Sequence, residues 1–279
     1  MLRFCLLILC FPLALSSQNA LSRDHCVPAS GNHENLNAVL WVRTSLEYRH
    51  SAMQSYRLAS RMLLDALADK TWTAALEQSA GYESLPPAVI LDVDETVLDN
   101  SPAQAQSMER GNGTYTDQGW DEWVQKAEAK GVPGALDFLR LAAAKDVEIF
   151  YVTNRERKHE ERTIQNLAAM RFPSADAFHV MTKGEVPGWN SDKTSRRRYL
   201  ASRYRVVLLI GDDANDFLGG VRGSTAERDA AMVQYESYLG TRWIVLPNPT
   251  YGSWENAIWG GGYAKSREQS LADKCKALP

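Results

Sequence analysis

Two aspartates, Asp92 and Asp94, stand two residues apart in Leu91-Asp92-Val93-Asp94-Glu95-Thr96, directly after the apolar stretch Ala88-Val89-Ile90-Leu91. A strand repeats every two residues, so a strand that runs out here points both carboxylates to one side. Two carboxylates in one pocket repel each other, and a bound cation or a retained proton relieves the repulsion. Both remedies suit phosphoryl transfer. An ionised Asp92 attacks phosphorus, and a protonated Asp94 gives its proton to the departing ester oxygen and later takes one from water. Asp and Thr are also good helix N-caps, so the pair alone does not decide.

Three further segments each follow an apolar run and supply groups the first lacks. Tyr151-Val152-Thr153-Asn154-Arg155 offers a hydroxyl, an amide and a guanidinium suited to phosphate oxygens or other substrate groups. Lys193, in Ser191-Asp192-Lys193-Thr194, offers a positive charge against a phosphoryl group. Ile210-Gly211-Asp212-Asp213-Ala214-Asn215-Asp216 brings hard oxygen ligands for Mg²⁺, with Asp212 the expected ligand and Asp216 either a ligand or a partner of Lys193.

The elements that must position these groups follow from the hydrophobic pattern. Ala88 to Leu91 is a continuous apolar run, as expected of a strand buried on both faces, and the pattern returns at 147–152, 206–210 and 243–246. Helical stretches are expected at 134–144, 160–170, 194–204 and 225–239. The alternation predicts an α/β fold: a Rossmann-like parallel sheet with helices on both faces and the reactive loops at the carboxyl ends of its strands. Before it, apolar residues at helical spacing from Leu36 to about Leu76 predict an N-terminal helical extension. The stretch 101–132 breaks the alternation, contains the turn Gly111-Asn112-Gly113 and the pair Trp120 and Trp123, and reads as a small, mainly helical cap. The division is then a signal peptide at 1–19, a helical segment at 20–87 packing on the core, a core at 88–100 and 133–263, the cap at 101–132 and a tail at 264–279.

Met1-Leu2-Arg3, the apolar run Phe4 to Leu15 and the small residues that follow have the layout of a secretory signal. The run is shorter than the roughly 20 apolar residues a membrane span needs, so the expectation is export across the inner membrane to the periplasm or beyond, with no membrane span. Leu9 precedes Cys10 and His25 precedes Cys26, where lipid attachment asks for a small residue, which argues against a lipid anchor. Cleavage would leave Cys26 and Cys275, expected to pair as a disulfide in an oxidising compartment. Closing so long a loop adds on the order of 2 to 5 kcal/mol. A net charge of −3 without long runs of like charge disfavours polymeric nucleic acid as a partner. Small phosphate monoesters are the expected ligands, and the oligomeric state, a homodimer included, is open.

Four strand-end motifs in the order Asp-x-Asp, Thr, Lys and Gly-Asp-Asp-x-x-Asp resemble those of the haloacid dehalogenase (HAD) superfamily across nearly all of Ala88 to Glu255. The resemblance implies a HAD-like core, Asp92 as nucleophile, Asp94 as acid/base, Thr153 and Lys193 on the phosphate, and Mg²⁺ held by Asp92, the Asp94 carbonyl and Asp212. Longer stretches (Leu91 to Ser101, Phe150 to Arg155 and Leu246 to Glu255) are similar to class C acid phosphatases, the lipoprotein e type of 5′-nucleotidase. That likeness implies a cell-envelope enzyme acting on nucleoside monophosphates, with aromatic side chains gripping the base. Trp120, Trp123 and Tyr251 are the candidates for the grip, and Asn154 and Arg155 for further nucleotide contacts. Tryptophans that merely form the cap's core, and an Arg155 paired with surface acids, are the alternatives. The chain departs from that family in lacking the lipid-attachment sequence and in having Asp213 where Asn is usual.

Rival readings fit less well. Gly31-Asn32-His33-Glu34 looks like a piece of a calcineurin-like metallophosphatase, but Asp-x-His is missing and the Gly-Asp comes last. Arg49-His50-Ser51 lacks the Gly of a histidine acid phosphatase. A dehalogenase or phosphonatase has no need of Asp at 94. A phosphatase or phosphotransferase without nucleotide preference, and a non-catalytic storage or binding protein on the same fold, stand as the alternatives.

Overall fold

The computed structural model describes residues 34–109, 115–262 and 266–278. The expected signal segment, Cys26 of the expected Cys26–Cys275 bridge and the Gly111-Asn112-Gly113 turn lie outside the described residues.

Five parallel strands form the main sheet: β1 (Pro87–Leu91), β4 (Glu148–Glu156), β5 (Val180–Lys183), β6 (Arg205–Gly211) and β7 (Trp243–Val245), in the order β5-β4-β1-β6-β7. β1 is central, with Leu91 level with Tyr151 of β4 on one side and Ile210 of β6 on the other. The chain order reverses at β1, which opens a crevice at the carboxyl ends where ligands of such sheets bind. Successive side chains alternate between two cores. Val89, Leu91, Ile149 and Tyr151 face one side, and Ala88, Ile90, Phe150 and Val152 the other. Covering both faces removes the polar alternation of an exposed strand, which is why these segments read as unbroken apolar runs.

The helical extension consists of two helices, α1 (Leu36–Thr44) and α2 (Leu46–Ala68). Ser45 is extended and its hydroxyl accepts the Tyr48 N–H as an N-cap, which starts the second helix afresh. α2 also stops before the expected Leu76. Buried Arg205 collects the carbonyls of Ala66, Asp69 and Trp72, and the following residues lie along β6, with the Ala74 N–H on the Val206 carbonyl at 2.7 Å. Ala52, Tyr56, Ala59 and Leu63 bury their side chains in the same core as α5 (Ala135–Ala144). Remaining core helices are α6 (Glu160–Ala169), α7 (Thr194–Ala201) and α8 (Thr225–Met232), the last continuing as a 3-10 turn to Tyr238.

The stretch expected to form a cap is bracketed by a short antiparallel pair, β2 (Leu98–Asp99) with β3 (Lys130–Gly131), and holds α3 (Ser101–Glu109) and α4 (Asp117–Lys126). Asp121 of α4 docks it by meeting His159 and Lys158 at 2.7 Å each. No described helix is long and apolar enough to cross a membrane.

Candidate active site

Asp92 extends the central strand by one residue, its N–H bonding the Ile210 carbonyl at 2.9 Å. Val93 is buried in the core, so Asp94 returns to the side of Asp92 as the strand period requires. The chain then turns tightly: the Glu95 N–H reaches the Leu98 carbonyl and the Val97 N–H the Val93 carbonyl, both at 2.8 Å. Glu95 takes the left-handed backbone conformation at φ 57°, which costs a residue with a Cβ about 1–2 kcal/mol. Its buried carboxyl offsets this by accepting the Asn100 N–H at 2.8 Å and the Tyr251 hydroxyl. Burial, and then the charges of Asp94 and Asp212, push that carboxyl well above the usual range.

At the end of β6, Gly211 is required because a Cβ there would lie 2.1 Å from a carboxylate oxygen of Asp216. Asp213 and Asp216 cap the 3-10 turn that follows. Carboxylate oxygens of Asp92, Asp212 and Asp216 all lie within 4.8 Å of one another. Lys193 joins them, its ammonium on Asp92 and at 2.6 Å from Asp216. Asp212 also accepts from the Thr96 hydroxyl at 3.1 Å and the Asn248 amide at 2.7 Å. One ammonium does not balance three carboxylates. Burial pushes Asp92 up to about 7, with Lys193 opposing and Asp216 and Asp94 adding to the rise. Burial, then the charges of Asp92 and Asp216, raise Asp212, and burial with Asp213, opposed by Lys193, raises Asp216. Lys193 stays charged, since Asp216 and Asp92 outweigh its burial. Three hard oxygen donors short of positive charge are what a small divalent cation fits.

Across the crevice, β4 ends in Thr153, Asn154 and Arg155. Thr153 is buried, its hydroxyl 3.4 Å from Asp94 Oδ2. Asn154 donates to the Ser191 carbonyl at 3.1 Å. Arg155 turns inward: with a side chain only 1% exposed it grips Asp94 through Nε at 3.0 Å and Nη2 at 2.8 Å. It also reaches Thr163 and Asn100.

An open cleft of about 230 Å³ lies over these groups, lined among others by Asp92, Asp94, Asn154, Lys193, Asp212 and Tyr251. Asp216 and Arg222 line it as well, the latter a cation that no sequence motif singles out. The expected substrate contacts therefore divide. Asn154 and Tyr251 face the cleft; Thr153, Arg155, Trp120 and Trp123 are not on its wall. Trp123 is buried in the cap, its indole N–H on Asn100 Oδ1 at 2.8 Å, and half-buried Trp120 has the Arg155 guanidinium 5.4 Å from its ring centre.

Two further residues that build the site sit on α7 beside Lys193. Arg196 donates to the Thr153 carbonyl and, at 2.8 Å, to the Asn154 side chain. Arg197 pairs with Glu77 at 3.0 Å and holds the Asn215 and Asp216 carbonyls at 3.1 Å each. Both are fully buried. In sequence they are two members of a charged triplet that resembles a solvated helix face; only their nearness to Lys193 hints otherwise. Asp213 shows why a carboxylate serves at its position: its two oxygens accept from the Ser253 N–H, the Ser253 hydroxyl, the Asn215 N–H and the Asn215 amide, all at 2.6–2.9 Å. An asparagine would set its own NH₂ against one of these donors.

Residues 13–254 match the family model of the HAD superfamily, subfamily IIIB (acid phosphatase). The chain belongs to this family. A class C acid phosphatase from Bacillus anthracis has a similar structure, with a TM-score of 0.79 and 33% identity over 88% of this chain and 97% of the other. More distant relatives are acid phosphatase 1 of Solanum lycopersicum, 25% identical over 68% of each chain, and a 28 kDa stem glycoprotein of Glycine max, 27% identical over 58% of each. The expected HAD-like parallel core is thus the fold of the family, and Asp92, Asp94, Lys193 and Asp212 sit together at its carboxyl edge.

Proposed function

We propose that this protein is a secreted, Mg²⁺-dependent acid phosphatase that hydrolyses small phosphate monoesters, nucleoside 5′-monophosphates foremost, through a phosphorylated Asp92. The observation that carries the reading is the convergence of Asp92, Lys193, Asp212 and Asp216 on one cleft with Asp94 across from them. Asp92 attacks phosphorus, the ester P–O bond breaks, and Asp94 gives its proton to the leaving oxygen. Asp94 then takes a proton from water, the water oxygen bonds to phosphorus, and the Asp92–phosphate bond breaks. Lys193 holds Asp92 in place and faces the phosphoryl oxygens with a fixed positive charge. Thr153, buried off the cleft wall, acts by holding Asp94 through its hydroxyl. Asp92, Asp212 and the Asp94 carbonyl would hold the cation, with Asp216 as ligand or as anchor of Lys193. When bound, the ion supplies charge neutralisation to the carboxylates and to the transferring phosphoryl group.

Tyr251, on the cleft wall, is the aromatic surface best placed for a nucleobase, and stacking contributes roughly 1–3 kcal/mol without selecting a particular base. A generalist phosphatase is the second reading, favoured by the burial of Trp123 away from the cleft. Phosphate release from 2′-, 3′- and 5′-nucleotides, sugar phosphates and p-nitrophenyl phosphate, with and without EDTA, tests both. Preference for 5′-nucleotides supports the first reading and a flat panel the second. Activity indifferent to the chelator, or beryllium fluoride that fails to trap at Asp92, ends the mechanism; no activity on any ester leaves the binding or storage alternative.

A further inference from the structure

We infer that Asn100 is a positioning residue for Asp94, and that Trp123 of the cap acts on the chemistry through Asn100 rather than by touching substrate. The inference rests on Asp94 being the acid/base. Asn100 is buried where the chain leaves the core for the cap, between β2 and α3. Its Oδ1 faces the Trp123 indole N–H at 2.8 Å and Arg155 Nη2 at 3.2 Å. Both neighbours are donors with no acceptor to offer, so the amide has only one satisfactory orientation. The NH₂ must then point the other way, where Asp94 Oδ1 lies at 2.8 Å and Glu95 Oε2 at 3.3 Å.

This orientation decides how Asp94 works. Its Oδ1 accepts three N–H groups: Asn100 Nδ2 at 2.8 Å, Arg155 Nε at 3.0 Å and Arg155 Nη2 at 2.8 Å. No lone pair of that oxygen is left for substrate. Oδ2 keeps two longer contacts, Thr153 at 3.4 Å and Arg155 Nε at 3.3 Å, and is the oxygen free to exchange a proton with the leaving group. A path of hydrogen bonds thus runs from α4 of the cap through Trp123 and Asn100 to Asp94. The Asn100 N–H extends it to Glu95, which takes the Tyr251 hydroxyl from the opposite wall of the cleft. Removing the indole N–H leaves Arg155 Nη2, at 3.2 Å, as the donor that still holds Oδ1, and so loosens the amide that fixes Asp94 without reversing it.

The test separates positioning of the acid from general damage by its dependence on the leaving group. Nitrophenolate departs without a proton, whereas the alkoxide of AMP does not, and kcat/KM reports the step in which the ester bond breaks. In the full-length protein with Mg²⁺, Asn100→Ala should lower kcat/KM for AMP by about 10- to 100-fold, a fraction of what acid catalysis supplies, and that for p-nitrophenyl phosphate by less than about 3-fold. Inhibition by inorganic phosphate should be unchanged. Trp123→Phe keeps the aromatic bulk, removes the donor and should show the same pattern at about 3- to 10-fold. Asp94→Asn should show the largest contrast between the two esters. Equal losses on both esters in Asn100→Ala, or a Trp123→Phe enzyme identical to wild type, would overturn the inference. If Asp94→Asn itself shows no contrast between the esters, the acid/base reading falls and the inference falls with it.

Discussion

The two sides of the β1 terminus solve the problem of a desolvated carboxylate in opposite ways. On the β4 side, Asp94 is surrounded by protein donors, with both Arg155 and Asn100 on one oxygen. On the β6 side, Asp92, Asp212 and Asp216 share one lysine, and burial drives all three toward their protonated forms. The first side is complete without a ligand, so its geometry is set before substrate arrives. The second is short of positive charge, which in the proposed mechanism a cation together with a phosphoryl group would supply. In the proposed mechanism this contrast sets a fixed proton donor against a nucleophile whose environment depends on what is bound.

Four measurements would break or sharpen that contrast, the largest effect first. Asp92→Asn should lower turnover by at least about 10³-fold, as loss of a nucleophile does. Its stability in EDTA should hold or rise, because one charge leaves a crowded cluster. Turnover near wild type, or marked destabilisation, would break the comparison on its β6 side. Asp94→Asn should instead destabilise the protein by about 3 kcal/mol in urea titrations, since it strands a buried guanidinium. Equal stability of the two variants would mean that the two sides do not differ.

The pH dependence of stability is the third. The Asp92 carboxyl moves from 3.8 up to about 7 on folding, so between these values the folded state holds more protons than the unfolded chain. Its contribution in metal-free protein is therefore present below pH 4 and lost as the pH rises through about 7. Urea titrations in EDTA should show a steeper decline over this range for wild type than for Asp92→Asn, and saturating Mg²⁺ should flatten it. Parallel profiles would mean that the group is not strained. The smallest effect is expected at the rim. Tyr251→Ala should weaken AMP binding by about 10-fold, the lower part of the stacking range, and weaken p-nitrophenyl phosphate less. Equal losses would assign the tyrosine to Glu95 alone.

Much of this site is legible in the chain because its signals are local. A central parallel strand buried on both faces is an unbroken apolar run, and a ligand-binding sheet carries its reactive groups just past such runs. Asp92, Asp94, Thr153 and Asp212 all stand within a few residues of one. β5 escaped the pattern because only Val180 and Met181 of its four residues are apolar, and the helix break at Ser45 because the serine caps α2 without any change in the apolar spacing around it.

The amino-acid sequence by itself determined which carboxylates reach the carboxyl edge of the sheet, since strand period and apolar runs are properties of neighbouring residues. Tertiary structure alone decided the partners: that Arg155 turns inward to Asp94, that Trp123 meets Asn100, and that Arg196 and Arg197 are buried braces instead of surface charges. A donor finds its acceptor across tens of residues only when packing has brought both out of water, and burial is also what makes each unpaired group too costly to leave.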